Sequence, residues 1–368
     1  MKNPFYQIGG SLPLDAPSYI KRTAGDQYYQ ALLNREFCYV LNARQTGKTS
    51  LKIQTMSRLK KQNIRCVTID LGLIGTQHLS SQQFFASFLG LLTKGLNLSI
   101  SVGKWWRKYE HLSYLERLNY FLETVVFEQI KEPLIIFVDE VDTILNFEFS
   151  CQDFFNFLFQ CYEKRAFDPR YQRLNFSILG TGNFLELADQ GKDHPFLLGI
   201  PILLTNFTFD EAQPLLLGLN NIIANPKETL QNILKWTGGQ PFLTQKVCQL
   251  LIVYCQQKNE INKIIDSAWL NQFVHDKIIK NWEIQDDPEH LKTIRDRILN
   301  VKYFQATLKL YQEILQGKKI KFFHTQEHID LCLSGLVTQK TDIFHINNLI
   351  CQTIFNDQWL EEKLFLNN

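Results

Sequence analysis

A short apolar run, Phe37–Leu41, leads straight into Asn42-Ala43-Arg44-Gln45-Thr46-Gly47-Lys48-Thr49-Ser50, and a helical pattern, Thr49–Gln62, follows. This handover constrains the fold more than any other feature of the chain. A strand that becomes a helix through a loop ending in Gly-Lys-Thr leaves a row of unpaired amides at the helix start. Those amides and the helix dipole together attract an anion. In that setting Lys48 reaches the β- and γ-phosphates of a nucleotide, and the Thr49 hydroxyl is a ligand for Mg²⁺. The spacing fits G-x-x-x-x-G-K-[ST] except at Asn42, which stands where the first glycine belongs. Asn is one of the few side chains that tolerate positive φ, so the departure is compatible with the loop. Residues Asn42, Ala43, Arg44, Gln45, Thr46, Gly47, Lys48, Thr49 and Ser50 are therefore the first candidate binding segment, for the phosphates of a nucleotide with Mg²⁺.

A second motif answers the first. Glu132-Pro133 opens the apolar run Leu134–Val138, and Asp139-Glu140 follows at once. A buried strand ending in two carboxylates delivers them to the carboxyl edge of a sheet, where open α/β folds bind their ligands. Asp139 is expected to hold the Mg²⁺ through water, and Glu140 to orient and polarise an attacking water. A third strand, Phe176–Leu179, ends in Gly180-Thr181-Gly182-Asn183. Asn183 or Thr181 is the candidate polar group beside a γ-phosphate, although turn residues of this kind also simply form loops.

The first 210 residues alternate strand and helix signals. Strands are predicted at Phe37–Leu41, Arg65–Leu71, Leu134–Val138, Phe176–Leu179 and Ile202–Phe207, with helices at Thr49–Gln62, Gln82–Leu96, Ser113–Ile130 and Asp153–Tyr162 between them. That alternation predicts an α/β fold, a parallel sheet flanked by helices. Helical patterns then take over, among them Lys227–Trp236, Phe242–Gln257 and Ser267–Trp282, and a helix followed by a two-stranded pattern at Val337–Ile346 closes the chain. The expected domains are a P-loop α/β domain over 1–208, an all-α module over 209–300 and a winged-helix-like domain over 301–368. A chain of 368 residues has room for all three.

With 39 Lys and Arg against 37 Asp and Glu, the formal charge of +2 carries no general signal for nucleic acid or membrane surface. No apolar stretch approaches the ~20 residues of a membrane span. The N-terminal MKNPFYQIGG has no apolar leader core, so a cytoplasmic protein is expected. The eight cysteines form no C-x-x-C pair and sit in apolar segments, where they read as small buried hydrophobes.

These features together resemble the AAA-like subgroup of STAND NTPases, signal-transduction P-loop ATPases often fused to WD40 repeats in cyanobacteria. The resemblance runs through GGSLPLDAPSYIKR, FCYVLNARQTGKTSL, IDLGLIGTQ, HPFLLGIPILLTNFTFDEAQ, WTGGQPFLTQKVCQLL and LCLSGLVTQ, roughly residues 5–362. It implies an ATP-binding, slowly hydrolysing molecular switch. It also implies two further contacts: Tyr19 and Arg22 near the adenine, and Pro241 of Gly238-Gly239-Gln240-Pro241 against the nucleotide. ATP rather than GTP, and homo-oligomerisation in the ATP state, rest on the same resemblance. The relatives carry a repeat sensor or effector, and this chain stops soon after the winged-helix-like segment, so a protein partner acting in trans is expected. Many of those relatives place an arginine after the fourth strand, where this chain has Thr181-Gly182-Asn183.

Two rival readings are a DNA-handling ATPase of the origin-recognition type and a nucleotide-binding module without hydrolysis. Against the first, Thr325–Leu336, the helix that would face DNA, carries Glu327 and Asp330 and no Lys or Arg. Acidic groups repel phosphates. His324-Thr325-Gln326-Glu327-His328 spells H-x-x-E-H, but Thr325 reads as a helix cap that leaves His324 outside the helix, which argues against a zinc site. Trp105 and Trp106 read as an aromatic packing corner.

Overall fold

The strand signals assemble into one sheet. In the computed structural model, which describes residues 5–182, 187 and 195–365, the strands are β1 (Cys38–Leu41), β2 (Arg65–Asp70), β3 (Leu134–Asp139), β4 (Leu174–Gly180) and β5 (Ile200–Pro201). All pairs are parallel, in the order β2-β3-β4-β1-β5. Every residue of β3 and β4 is buried. Burial on both faces is why these two read as unbroken apolar runs rather than alternating ones.

Helices cover both faces. On one side α1 (Thr23–Leu33) and α2 (Lys48–Lys60) bring Tyr28, Leu32, Leu51 and Leu59 against Val40 and Phe137. On the other lie α3 (Ser81–Leu96), α4 (Val102–Lys108), α5 (Tyr114–Phe121) and α6 (Gln152–Glu163), with an aromatic core in which the Phe88 and Phe154 rings are 5.2 Å apart. α3 and α5 start with reciprocal caps, Ser80 with Gln83 and Ser113 with Glu116. Trp105 and Trp106 are buried in this layer, Trp105 edge-on to Phe121 at 4.9 Å, so the aromatic corner is packing. Residues Thr23–Asn42 and Leu51–Leu204 form this unit.

A second unit takes the remaining described residues, the segment Ala43–Ser50 among them. It is built on α7 (Pro226–Thr237), α8 (Pro241–Gln257), α9 (Ser267–Val274), α10 (Leu291–Leu299), α11 (Phe304–Leu315) and α12 (Gln326–Ser334). The hairpin β6 (Val337–Lys340) and β7 (Ile343–Ile346) follows, then α13 (Leu349–Ile354) and α14 (Asp357–Phe365). Leu243, Val247, Leu251, Leu308, Tyr311 and Phe355 belong to one continuous core. Thr341 and Asp342, both at positive φ, make the two-residue turn that matches the twist of a hairpin.

Three expectations are corrected. The fifth strand is Ile200–Pro201 rather than 202–207, because past Leu204 the chain bonds elsewhere: the Phe207 N–H donates to the Gly239 carbonyl at 2.8 Å. The helix expected over 267–282 ends in a π-helical turn, His275–Ile279, and breaks at Asn281, which is left-handed. The helix expected over 113–130 passes through a π-helical stretch at Leu122–Val126. All eight cysteines are free, and all but the half-buried Cys332 are buried. Among the described residues no helix is long and apolar enough to cross a membrane.

Candidate functional site

The loop after β1 is shaped by side chains that take hold of its carbonyls. The Gln240 side-chain amide donates to the Gln45 carbonyl at 3.2 Å, and the Arg22 guanidinium donates to the Thr46 carbonyl at 3.0 Å. In a trans peptide the C=O and the following N–H point in opposite directions. Fixing those two carbonyls therefore turns the Thr46 N–H away from Gln240 and the Gly47 N–H away from Arg22. The loop's bend comes from Gln45 at φ 60° and Gly47 at φ 90°. A left-handed non-glycine such as Gln45 costs on the order of 1–2 kcal/mol and persists only where its surroundings hold it. At Gly47 a side chain would be strained by the backbone angle, and its Cβ would lie 2.9 Å from the Arg22 guanidinium, which would have to move. Asn42, expected to need positive φ, is not among the described residues that have it. Its side-chain amide instead donates to the Leu204 carbonyl at 2.9 Å.

α2 begins at Lys48, so Lys48, Thr49 and Ser50 form its first turn and their N–H groups lack helical partners. The Lys48 ammonium donates to the Ala43 carbonyl at 2.8 Å, and the Thr46 hydroxyl to the same oxygen at 3.0 Å. The Ser50 hydroxyl accepts the Leu12 N–H at 3.0 Å, which ties the N-terminal segment to the loop.

Tyr19, Arg22 and Pro241 come together with this loop. With Ile20, Gln45 and Gly47 they are among the residues lining a cavity of about 90 Å³. Arg22 is buried, its guanidinium lies 5.4 Å from the Phe207 ring centre, and burial pulls its pKa below the ordinary arginine value. Pro241 opens α8, Gln240 caps it by accepting the Leu243 N–H at 2.6 Å, and Gly238 ends α7 in the left-handed conformation. A Cβ at Gly239 would meet the Phe207 carbonyl at 2.1 Å, so the Gly-Gly pair is required by close backbone approach.

The carboxylates stand at the other motif's strand ends. Asp139, the last residue of β3, is buried and ion-paired with Lys52 of α2, one helical turn beyond Lys48. Its other oxygen accepts the Glu140 N–H at 3.0 Å. With both oxygens engaged, Asp139 is better suited to hold a hydrated cation through water than to ligate one directly. Glu140 is exposed and left-handed at φ 55°, an energetically costly backbone state of the kind found at functional sites. Asp142 accepts the Thr181 N–H at 2.7 Å and so joins the ends of β3 and β4. Gly180 permits that join, since a Cβ there would lie 2.7 Å from Val141. Asn183 lies outside the described residues.

Sequence reasoning missed Lys52, Gln240 and the hold of Arg22 on the loop. Lys52 had a signal, the i+4 spacing from Lys48; the other two are contacts between distant segments. The Arg165 and Arg173 guanidiniums bond the Leu174 carbonyl at 2.6 Å and the Ile130 carbonyl at 2.7 Å, at the amino ends of β4 and β3. Arg170 forks onto Asp168 at 2.8 Å. Among the described residues no group of His, Cys, Asp and Glu is arranged to hold a metal ion by itself.

A family model described as an AAA-like domain matches residues 7–355. An uncharacterised WD repeat-containing protein of Synechocystis is 38% identical over 365 residues, which cover 98% of this chain and 30% of that protein. The chain thus spans less than a third of the length of the curated relative it matches. Among solved structures, a Walker-type ATPase of Pyrococcus abyssi aligns at a TM-score of 0.56 and 14% identity, covering 95% of this chain and 99% of that one. The ORC2 protein of Aeropyrum pernix aligns at a TM-score of 0.47 and 13% identity, over 99% and 98% of the two chains.

Proposed function

The chain belongs to the AAA-like domain family, and on that footing we propose that it binds and slowly hydrolyses ATP as a STAND-type molecular switch. The observation that carries this reading is the pair of loop carbonyls, Gln45 and Thr46, drawn aside by Gln240 and Arg22. The Thr46 and Gly47 amides, the first turn of α2 and Lys48, which would exchange its bond to the Ala43 carbonyl, are the groups proposed to meet a polyanion. Ala43, Arg44 and Ser50 complete the segment. Tyr19, Arg22 and Pro241 supply the wall suited to the base, with Ile20 beside them.

Thr49 and Asp139 are the residues that would hold Mg²⁺, and the donor set fits it: hard oxygens, one hydroxyl and one carboxylate whose engaged oxygens favour contact through water. Such an ion neutralises charge building on the phosphate oxygens. Glu140 orients a water and accepts its proton as the water attacks. Lys52 holds the Asp139 carboxylate in place through their ion pair. Asn183 or Thr181 reads the γ-phosphate end.

A switch needs contacts that differ between nucleotide states. Here the loop is gripped by α8 through Gln240, so a change in the loop has a route into the helical module. The WD repeat-containing relative supports a partner of the repeat-sensor type, in the same polypeptide or in trans, and assembly into homo-oligomers with ATP is part of the same proposal. The three-domain division, the winged-helix reading of α12 with its hairpin, and a cytoplasmic location belong to it as well. α12 has Glu327 in its first turn and no Lys or Arg, which weighs against the DNA-handling alternative; Asp330, expected to face DNA with it, is instead buried and accepts a bond from the Gln326 amide at 3.0 Å.

The test is steady-state phosphate release by the purified chain at saturating ATP. Release should saturate with ATP and fall to the blank when EDTA removes Mg²⁺. No release above the blank would leave a nucleotide-binding module without hydrolysis, and release indifferent to EDTA would contradict the roles given to Thr49 and Asp139.

A further inference from the structure

Gln45, the left-handed residue of the phosphate loop, is held by more than Gln240. Its side-chain amide nitrogen donates to the Glu289 carbonyl at 2.9 Å, and its amide oxygen bonds the Nδ1 of His290. The first bond fixes which end of the amide is oxygen. Nδ1 of His290 must then carry the proton, which makes the ring the donor and leaves Nε2 bare. The structure agrees: Nε2 is buried and has no partner. Burial also drives the His290 pKa down to about 4, so the ring stays neutral and the tautomer is constant across the ordinary pH range.

His290 is itself fixed from behind. Its N–H and that of Lys292 both donate to one oxygen of Asp286, each at 2.8 Å, at the start of α10. The other Asp286 oxygen pairs with the Lys246 ammonium of α8 at 3.2 Å, and both side chains are almost wholly buried. The ring lies against Phe242, centres 5.0 Å apart. The chain of contacts therefore runs from α8 through Lys246 and Asp286 to the head of α10, then through His290 and Gln45 into the loop. A cavity of about 450 Å³, lined by Ala43, Arg44, Thr46, His290, Thr293 and Arg297 among others, borders the latch and leaves room for it to open.

We propose that His290 is a positioning residue for nucleotide binding, latching Gln45 so that the phosphate loop keeps its binding shape and so that α10 moves with the loop. The proposal rests on the nucleotide-binding reading above. It predicts that the latch is specific to a donor at the Nδ1 position, and the Asn amide nitrogen can take that place.

The experiment measures two quantities on the full chain: the Kd for Mg-ADP, and hydrogen exchange of peptides covering residues 42–50 without nucleotide. His290→Ala should weaken ADP binding about tenfold, the effect of one lost hydrogen bond of moderate strength, and speed exchange in the loop. His290→Asn should recover both to within about threefold of wild type, and Gln45→Ala with His290→Ala should be no worse than the more severe of the two single variants. Equal losses in the Ala and Asn variants, or additive losses in the double variant, would make His290 a packing residue and overturn the proposal. A wild type that binds no nucleotide overturns the functional reading itself. Loop exchange unchanged in His290→Ala shows separately that there is no latch.

Discussion

Glu140→Gln should bind ATP as tightly as the wild type, within about threefold, and release phosphate on the order of a hundredfold more slowly. The argument is one of charge at a fixed place. Glu140 follows directly on β3, exposed, with its backbone in the left-handed conformation and its N–H bonded to Asp139. Gln has the same length and hydrogen-bonding shape but cannot accept a proton at neutral pH. Only the step that needs a base is therefore lost, and that contribution is typically about 10²–10⁴ in rate. Steady-state phosphate release and equilibrium ATP binding on the same preparation separate the two. Equal release by wild type and variant would remove Glu140 from catalysis.

The second large effect is on stability. Lys52 and Asp139 pair in a buried setting, with side chains only 8% and 10% exposed. Removing one partner of such a pair strands the other's charge, at a cost of about 3–5 kcal/mol. Lys52→Met should therefore lower the unfolding free energy by about 3 kcal/mol, read from urea denaturation of the ligand-free chain. Pairing it with Asp139→Leu should recover much of the loss, since two apolar groups need no mutual charge. A single variant within about 1 kcal/mol of wild type would mean that the pair is not the anchor proposed here.

Much of the candidate site was legible because the nucleotide chemistry proposed for it asks for contiguous residues. Gly47-Lys48-Thr49 needs a strand before it and a helix after it, and both signals lie in the adjoining sequence. Asp139-Glu140 announces itself as charge at the end of an apolar run, and Gly238-Gly239 as a turn before Pro241. What sequence could not supply is the set of groups that shape the loop from outside. Arg22, Gln240 and His290 are an N-terminal residue, a helix cap and a residue beyond α9, and only folding brings them to Thr46 and Gln45. The strain moved as well: reasoning from the motif assigned it to Asn42, whereas the left-handed residue is Gln45. The fifth strand was overextended for a related reason. The apolar run continues to Phe207, but Phe207 bonds Gly239, and hydrophobicity alone cannot tell a strand from a segment that pairs with a loop.

The central claim is that the bend from Asn42 to Ser50 grips the phosphates of a nucleotide. Isothermal titration of Mg-ATP into the wild type and into Lys48→Ala tests it directly. The wild type should give a saturable one-to-one isotherm. Loss of the Lys48 ammonium, worth about 2–3 kcal/mol as a charge-assisted contact, should raise Kd roughly 30- to 150-fold. A wild type that gives no saturable binding, or a Lys48→Ala chain that binds as well as the wild type, would contradict the account at its root.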